Sequence, residues 1–90
     1  MTQSTLARSA AFAAIDSERD YQDALTPERT SGEDHTVGDY ITMLQQYQNE
    51  AVQAWTKNAG DDAALEIVRK IAGIAVRCME EHGAPLRETS

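Results

Sequence analysis

Apolar residues recur every three or four positions in three segments of the chain, which predicts an all-α protein with three helices. The first helix covers about residues 4–25, and Pro27 prevents its continuation. Its stripe consists of Leu6, Ala10, Ala13, Ser17, Tyr21 and Ala24. Because several of these side chains are small, we expect the stripe to pack closely against another helix.

The central helix has the clearest start in the sequence. Thr36 and Asp39 match the Ser/Thr-x-x-Asp/Glu capping pattern, so we expect the helix to begin there and to reach about Asn58. Its apolar stripe consists of Val37, Tyr40, Ile41, Leu44, Tyr47, Ala51, Ala54 and Trp55. Gly60 then predicts a break and a turn back, which makes a long helical hairpin with the third helix.

The third helix carries more apolar surface than one neighbour can cover. Asp61 and Asp62 provide a cap and negative charge for its first turn, and Gly83 and Pro85 stop it after about His82. One apolar stripe contains Leu65, Val68, Ala72, Ala75 and Met79, and a second contains Ile67, Ile71, Ile74 and Cys78. We therefore expect a second protomer to cover part of this helix.

The length of 90 residues predicts a single helical domain over 1–90 with a modest core, for which self-association is a natural source of extra stability. Residues 1–14 form the N-terminal part of the first helix, 26–35 a polar loop and 84–90 a tail. No apolar stretch approaches the roughly 20 residues that span a bilayer. The one cysteine cannot form an internal disulfide. We therefore expect a soluble cytosolic protein that does not bind membranes.

The net charge of −7 argues against a broad basic face for long nucleic acids, but it leaves room for a small anion in a focused pocket. Three cations, Arg69, Lys70 and Arg77, lie close together on the third helix. One interpretation is a solvated face in which Glu66 pairs with a neighbouring cation. The other is that Gly73, which costs about 1 kcal/mol relative to alanine, permits close approach of several copies whose arginines then bind an anion.

Tyr21 also has two interpretations. It can be a core residue whose hydroxyl group bonds to Glu18, Arg19 or the following loop. It can instead face a ligand, because a nucleobase stacked on an aromatic ring contributes about 1–3 kcal/mol. The sequence does not decide between the two.

Catalytic patterns are absent from the sequence. An all-α nucleotide pyrophosphohydrolase of the MazG type needs two E-x-x-E/D pairs on facing helices, but Glu50 of the central helix is followed three residues on by Gln53, and Glu66 of the third helix by Arg69. His35 and His82 do not form a zinc pattern with a single cysteine. We predict a protein without catalytic activity, metal or cofactor, and keep a divergent pyrophosphohydrolase as the alternative.

Four segments, taken in order, resemble one family of small phage proteins. They are IDSERDYQD at 15–23, HTVGDY at 35–40, VRKI at 68–71 and CMEEHGAPLR at 78–87. In this combination the chain resembles the type 2 anti-CBASS proteins, which are sponges for the cyclic oligonucleotide messengers of bacterial immunity. The resemblance covers most of the chain.

This resemblance implies a compact helical protomer that assembles into a homohexamer, a trimer of dimers. Members of the family hold cyclic dinucleotides in pockets between paired protomers and cyclic trinucleotides where three protomers meet. They sequester both messengers without cleaving them. The implied location is the cytoplasm of the infected bacterial host.

The resemblance also implies site residues. Those for cyclic dinucleotides are Tyr21, Glu18, His35, Thr36 and Arg87, and those for cyclic trinucleotides are Arg77, Arg69 and Lys70. Tyr21 would stack on a base, and Arg77 is the first choice for the symmetric pocket. Where the family has a basic residue at the end of the loop, this chain has Glu33 and Asp34 before His35. His35, Arg29 or Arg87 from a neighbouring tail would then provide the missing donor.

Overall fold

The computed structural model describes residues 2–25 and 35–88, except for the side chains of residues 58 and 59. The described residues form three α-helices and one π-helical turn, and they contain no strand. The elements are α1 (Gln3–Leu25), α2 (Val37–Ala54), the π-helical turn (Trp55–Ala59) and α3 (Gly60–His82). The all-α prediction is confirmed for this part of the chain, and none of the described helices combines the length and apolarity needed to cross a membrane.

The helices α2 and α3 form an antiparallel hairpin. Tyr40, near the start of α2, donates a hydrogen bond to Glu81, near the end of α3. Further along, the ammonium group of Lys70 on α3 lies 4.9 Å from the ring centroid of Tyr47 on α2. The predicted hairpin is therefore confirmed, and α1 packs against its α3 side.

The start of α2 is fixed by a capping box. The hydroxyl group of Thr36 accepts a hydrogen bond from the amide of Asp39, and the carboxylate of Asp39 accepts one from the amide of Thr36, both at 3.0 Å. These bonds stabilise the charged carboxylate and hold the pKa of Asp39 below its usual range. The predicted cap is confirmed.

The junction between α2 and α3 differs from the prediction. We expected the central helix to continue to about Asn58, whereas regular α-helix ends at Ala54 and a π-helical turn follows. In this turn the indole Nε1 of Trp55 donates a hydrogen bond of 3.2 Å to Asp61, so this aspartate has a side-chain partner across the junction. Gly60 has φ of 79°, a conformation that favours glycine, and it makes the predicted break.

The end of α3 also follows the sequence signal. Gly83 has φ of 118°, and its amide donates a hydrogen bond of 2.9 Å to the carbonyl oxygen of Met79. This is the usual way for a glycine just beyond a helix to satisfy one of the last carbonyl groups. The predicted stop after His82 is confirmed.

The orientation of α1 corrects the sequence interpretation. All six residues of its predicted stripe are exposed, including Leu6 at 52% and Tyr21 at 57%. The side of α1 that faces α3 instead carries Glu18 and Arg19, which are 5% and 8% exposed. The expectation that the alanine stripe packs against another helix is thus wrong within the protomer, because ion pairs determine which side of α1 faces α3.

Two ion pairs attach α1 to α3. Arg19 donates two hydrogen bonds of 2.8 Å to the carboxylate of Glu80, and Arg69 donates one of 2.9 Å to Glu18. Gly73 lies at the crossing, where a Cβ atom would come within 2.7 Å of Cγ of Glu18. The small size of Gly73 is therefore required by α1 of the same chain.

The apolar core of the described protomer is small. Tyr40 and Ile74 are the buried hydrophobic residues among those described, at 0% and 6% exposure. Cys78 is half-buried and carries a free thiol. Large apolar side chains remain exposed on every helix, and examples are Phe12, Ile41, Trp55, Leu65, Val68 and Met79.

Candidate ligand site around Tyr21

The ring of Tyr21 projects from α1 into solvent at the edge of the contact with α3. Its exposed fraction of 57% rules out the interpretation of Tyr21 as a core residue of the protomer. Because α1 is held by the ion pairs of the neighbouring Glu18 and Arg19, the backbone that carries the ring has a fixed position relative to α3. Tyr21 is therefore an exposed aromatic side chain on an anchored helix.

Two adjoining cavities flank this ring. The first, of about 460 Å³, lies between α1 and α3 and is bordered by Arg69 and Glu66. The second, of about 220 Å³, also reaches α2 and is bordered by Tyr47 and Arg77. Three residues border both cavities, namely Glu18, Tyr21 and Lys70. Residues that the family resemblance assigned to two different ligands thus meet in one region of one protomer.

The three cations of this region have different partners. Arg69 is bonded to Glu18, and Arg77 donates a hydrogen bond of 3.1 Å to Glu81. Lys70 lies over the ring of Tyr47. One sequence interpretation paired Glu66 with a neighbouring cation. In the structure, the carboxylate partner of Arg69 is instead Glu18 of α1.

Glu81 joins two side chains of the second cavity. Its carboxylate accepts hydrogen bonds from Tyr40 and from Arg77. The bond from Tyr40 is the main reason that the pKa of Glu81 lies below its usual range. Burial, followed by this same bond, raises the pKa of Tyr40 to about 12. Arg77 is therefore held at the cavity by a carboxylate that stays ionised at neutral pH.

The ion pair between Arg19 of α1 and Glu80 of α3 also shifts the pKa of both partners. The hydrogen bond from Arg19 is the main reason that the pKa of Glu80 is lowered. The bond to Glu80 likewise raises the pKa of Arg19. Arg19 also approaches Asp23, one turn further along α1, at 3.1 Å. This helix is therefore attached by groups that are fully charged at neutral pH.

Three further candidates lie away from Tyr21 in sequence. The ring of His35 packs edge-on against Tyr40, with centroids 5.4 Å apart, and its carbonyl oxygen lies 2.6 Å from Nε2 of His82. Thr36 serves the helix cap described above. Arg87 is exposed in the tail beyond α3. Because Tyr40 borders the second cavity, His35 lies against one of the residues that form its wall.

The loop candidate Arg29, and Glu33 and Asp34 at the position where the family has a basic residue, lie outside the described residues. Within the described part of the chain, no cluster of three or more histidine, cysteine, aspartate or glutamate side chains could hold a metal ion.

Sequence reasoning missed the contribution of α2 to this region. Tyr40, Met43 and Tyr47 all border the second cavity. The sequence placed both tyrosines in the apolar stripe, where they looked like ordinary core residues. The spacing of seven between Tyr40 and Tyr47 puts both rings on one face of α2 and was the available signal.

Comparison with known proteins gives no further guidance. No protein-family model matches the chain. No curated protein and no solved structure shows significant similarity to it either.

Proposed function

We propose that this protein is a phage anti-immune sponge that binds cyclic di- and trinucleotide messengers of CBASS and sequesters them without cleavage. The observation that carries the proposal is the position of the exposed Tyr21 ring between two cavities that are bordered by Arg69, Lys70 and Arg77. Aromatic side chains bind nucleobases by stacking, and cationic side chains bind phosphates. Both kinds of group occur together here.

The proposal includes assembly into a homohexamer. The exposed apolar side chains on all three helices, including Phe12, Ile41 and Leu65, support self-association, because their burial would add to the small core of the protomer. In this assembly a cyclic dinucleotide stacks on Tyr21, and a cyclic trinucleotide is held by copies of Arg77 at a symmetry axis.

Recovery of the ligand distinguishes a sponge from an enzyme. The protein is incubated with a cyclic dinucleotide and then denatured by heat, and the supernatant is analysed by chromatography. We expect the intact cyclic dinucleotide, whereas linear products would refute sequestration without cleavage. Magnesium-dependent release of pyrophosphate from a nucleoside triphosphate would favour the alternative pyrophosphohydrolase.

Two variants test the assignment of ligands to residues by calorimetry. We expect Tyr21→Ala to weaken cyclic dinucleotide binding by about 5- to 150-fold, the equivalent of one lost stack, and to leave cyclic trinucleotide binding unchanged. Arg77→Ala should do the reverse. Arg8→Ala serves as a matched control, because Arg8 is an exposed arginine on α1 far from both cavities. Equal losses in all four titrations of the two variants would contradict the assignment.

Native mass spectrometry tests the assembly. It reports the number of subunits and the number of bound ligands in the same spectrum. We expect six subunits, with separate occupancy by the two ligand classes. A monomer that binds neither class would overturn the proposal.

A further inference from the structure

Lys70 and Tyr47 form a pair in the second cavity that the proposal above leaves without a role in dinucleotide binding. The ammonium group of Lys70 lies 4.9 Å from the ring centroid of Tyr47. The same cavity is bordered by Tyr21. One cavity thus carries an aromatic ring from α1, a second ring from α2 and an ammonium group from α3.

We propose that Lys70 covers the ring of Tyr47 in the free protein and moves onto a ligand phosphate when a dinucleotide binds, which makes Tyr47 the second stacking surface beside Tyr21. The ligand class is two nucleobases joined through phosphate. This inference rests on the proposed nucleotide binding and extends it, because it assigns Lys70 to the dinucleotide.

The partners of the three cations explain why Lys70 is the one that moves. Recruiting Arg69 would leave the carboxylate of Glu18, which is only 5% exposed, without its ion-pair partner and with a neutral amide hydrogen bond from Gln22. Recruiting Arg77 would break its bond to Glu81. Lys70 gives up only a contact with an aromatic ring, which is weaker at a partly exposed site than a charge-assisted hydrogen bond to phosphate.

The chemistry of the lysine side chain suits this movement. Its ammonium group is a compact charge at the end of a flexible chain of four carbons, so it can change position without a shift of the helix. Lys70 borders both cavities that flank Tyr21, and a phosphate near the tyrosine ring is therefore within the region that it already lines. When the ammonium group leaves, one face of the Tyr47 ring becomes open to a base.

Substitutions at Tyr47 test the second stacking surface by calorimetry with a cyclic dinucleotide. Tyr47→Leu keeps an apolar side chain but removes the ring, and we expect affinity to fall by about 5- to 150-fold. Tyr47→Phe keeps the ring and removes only the hydroxyl group, so affinity should stay within about threefold of the unmodified protein. Unchanged affinity in Tyr47→Leu would overturn the inference.

Substitution of the lysine has a close control within the chain. Lys70→Met retains most of the side-chain volume without its charge, and we expect cyclic dinucleotide affinity to fall by about tenfold or more. Lys57→Met removes the other lysine, which is exposed on the π-helical turn, and should leave affinity unchanged. If Lys70→Met bound the cyclic dinucleotide as tightly as Lys57→Met, the inference would also be overturned.

A spectroscopic measurement on the unmodified protein is independent of variant folding. In the free protein, the ring of Tyr47 shields the terminal methylene protons of Lys70, whose NMR signals should lie upfield of their usual position. We expect them to move downfield when cyclic dinucleotide saturates the protein. Signals that stay shielded in the saturated complex would refute the movement of Lys70 while leaving sequestration by Tyr21 intact. If the unmodified protein does not bind a cyclic dinucleotide at all, the proposed function itself fails.

Discussion

Replacement of Gly73 by alanine tests how α1 is attached to α3. A Cβ atom at this position would lie 2.7 Å from Cγ of Glu18 and 2.8 Å from Nε2 of Gln22. The end of the Gln22 side chain is flexible and can move aside. Glu18 has less freedom, because it is 5% exposed and its carboxylate is bonded to Arg69. The new methyl group therefore competes with the packing of α1.

Two opposing effects decide the sign of this change. Alanine is favoured over glycine inside a helix by about 1 kcal/mol. Overpacking at a close contact costs about 1–3 kcal/mol, and a displaced Glu18 would also lose part of its bond to Arg69. The ion pair between Arg69 and Glu18 contributes little to the free energy of unfolding, because the side chain of Arg69 is 42% exposed. We expect Gly73→Ala to lower the free energy of unfolding by up to about 2 kcal/mol.

Urea denaturation at a single fixed protein concentration measures this effect, since self-association would make stability depend on concentration. Gly38→Ala is the matched control, because the nearest atom to its Cβ would be the Thr36 hydroxyl oxygen at an ordinary 3.7 Å. The free energy of unfolding of Gly38→Ala should rise by up to about 1 kcal/mol. In a protein that already carries Glu18→Ala, the Gly73→Ala substitution should lower the free energy of unfolding by less than it does in the unmodified protein. A Gly73→Ala variant as stable as the control would refute the close packing of α1 on α3.

Three other substitutions test single interactions by the same denaturation measurement. Tyr40→Phe removes the donor to Glu81 and should destabilise the protein by about 1–2 kcal/mol, so a neutral result would contradict this hydrogen bond. The depressed pKa of Glu80 means that its pair with Arg19 stabilises the fold above the ordinary glutamate pKa of about 4.3, and that this contribution is lost as the pH falls through the lower native pKa. Glu80→Gln should therefore flatten the loss of stability below roughly pH 5, and an unchanged acid profile would count against the pair. Thr36→Ala should cost about 1 kcal/mol through loss of the cap, whereas Thr36→Ser should retain most of it.

The start of α2 and both ends of α3 could be predicted because their signals are local. Thr36 caps through a residue three positions away, and the glycines at 60 and 83 adopt backbone conformations that other residues avoid. The orientation of α1 could not be predicted in this way. Its contact face is set by Glu18 and Arg19, whose partners on α3 lie 51 and 61 positions away in sequence. A hydrophobic period assigns apolar residues to the interior and cannot identify a helix that packs through ion pairs.

The candidate ligand site around Tyr21 could likewise be predicted only in part. An aromatic residue at position 21 and cations on the third helix could be identified as candidates from residue type and spacing. Their meeting around two shared cavities depends on how α1 crosses α3, which periodicity does not define. The role of α2 was missed because Tyr47 fits an apolar stripe equally well as a core residue and as a cavity wall.

The position of Glu18 bears on how an anion could bind here. Its carboxylate borders both cavities and would repel a phosphate, but the bond from Arg69 offsets that charge. The charge of Arg77 is likewise balanced by Glu81. Among the described cations of the second cavity, Lys70 is therefore the one that contacts an aromatic ring and has no carboxylate partner there. A cyclic dinucleotide carries two phosphate charges, and one lysine balances only one of them. The charge balance of a single protomer therefore favours a site to which a second copy adds its own cation, and exposed groups such as Arg87 are available for that purpose.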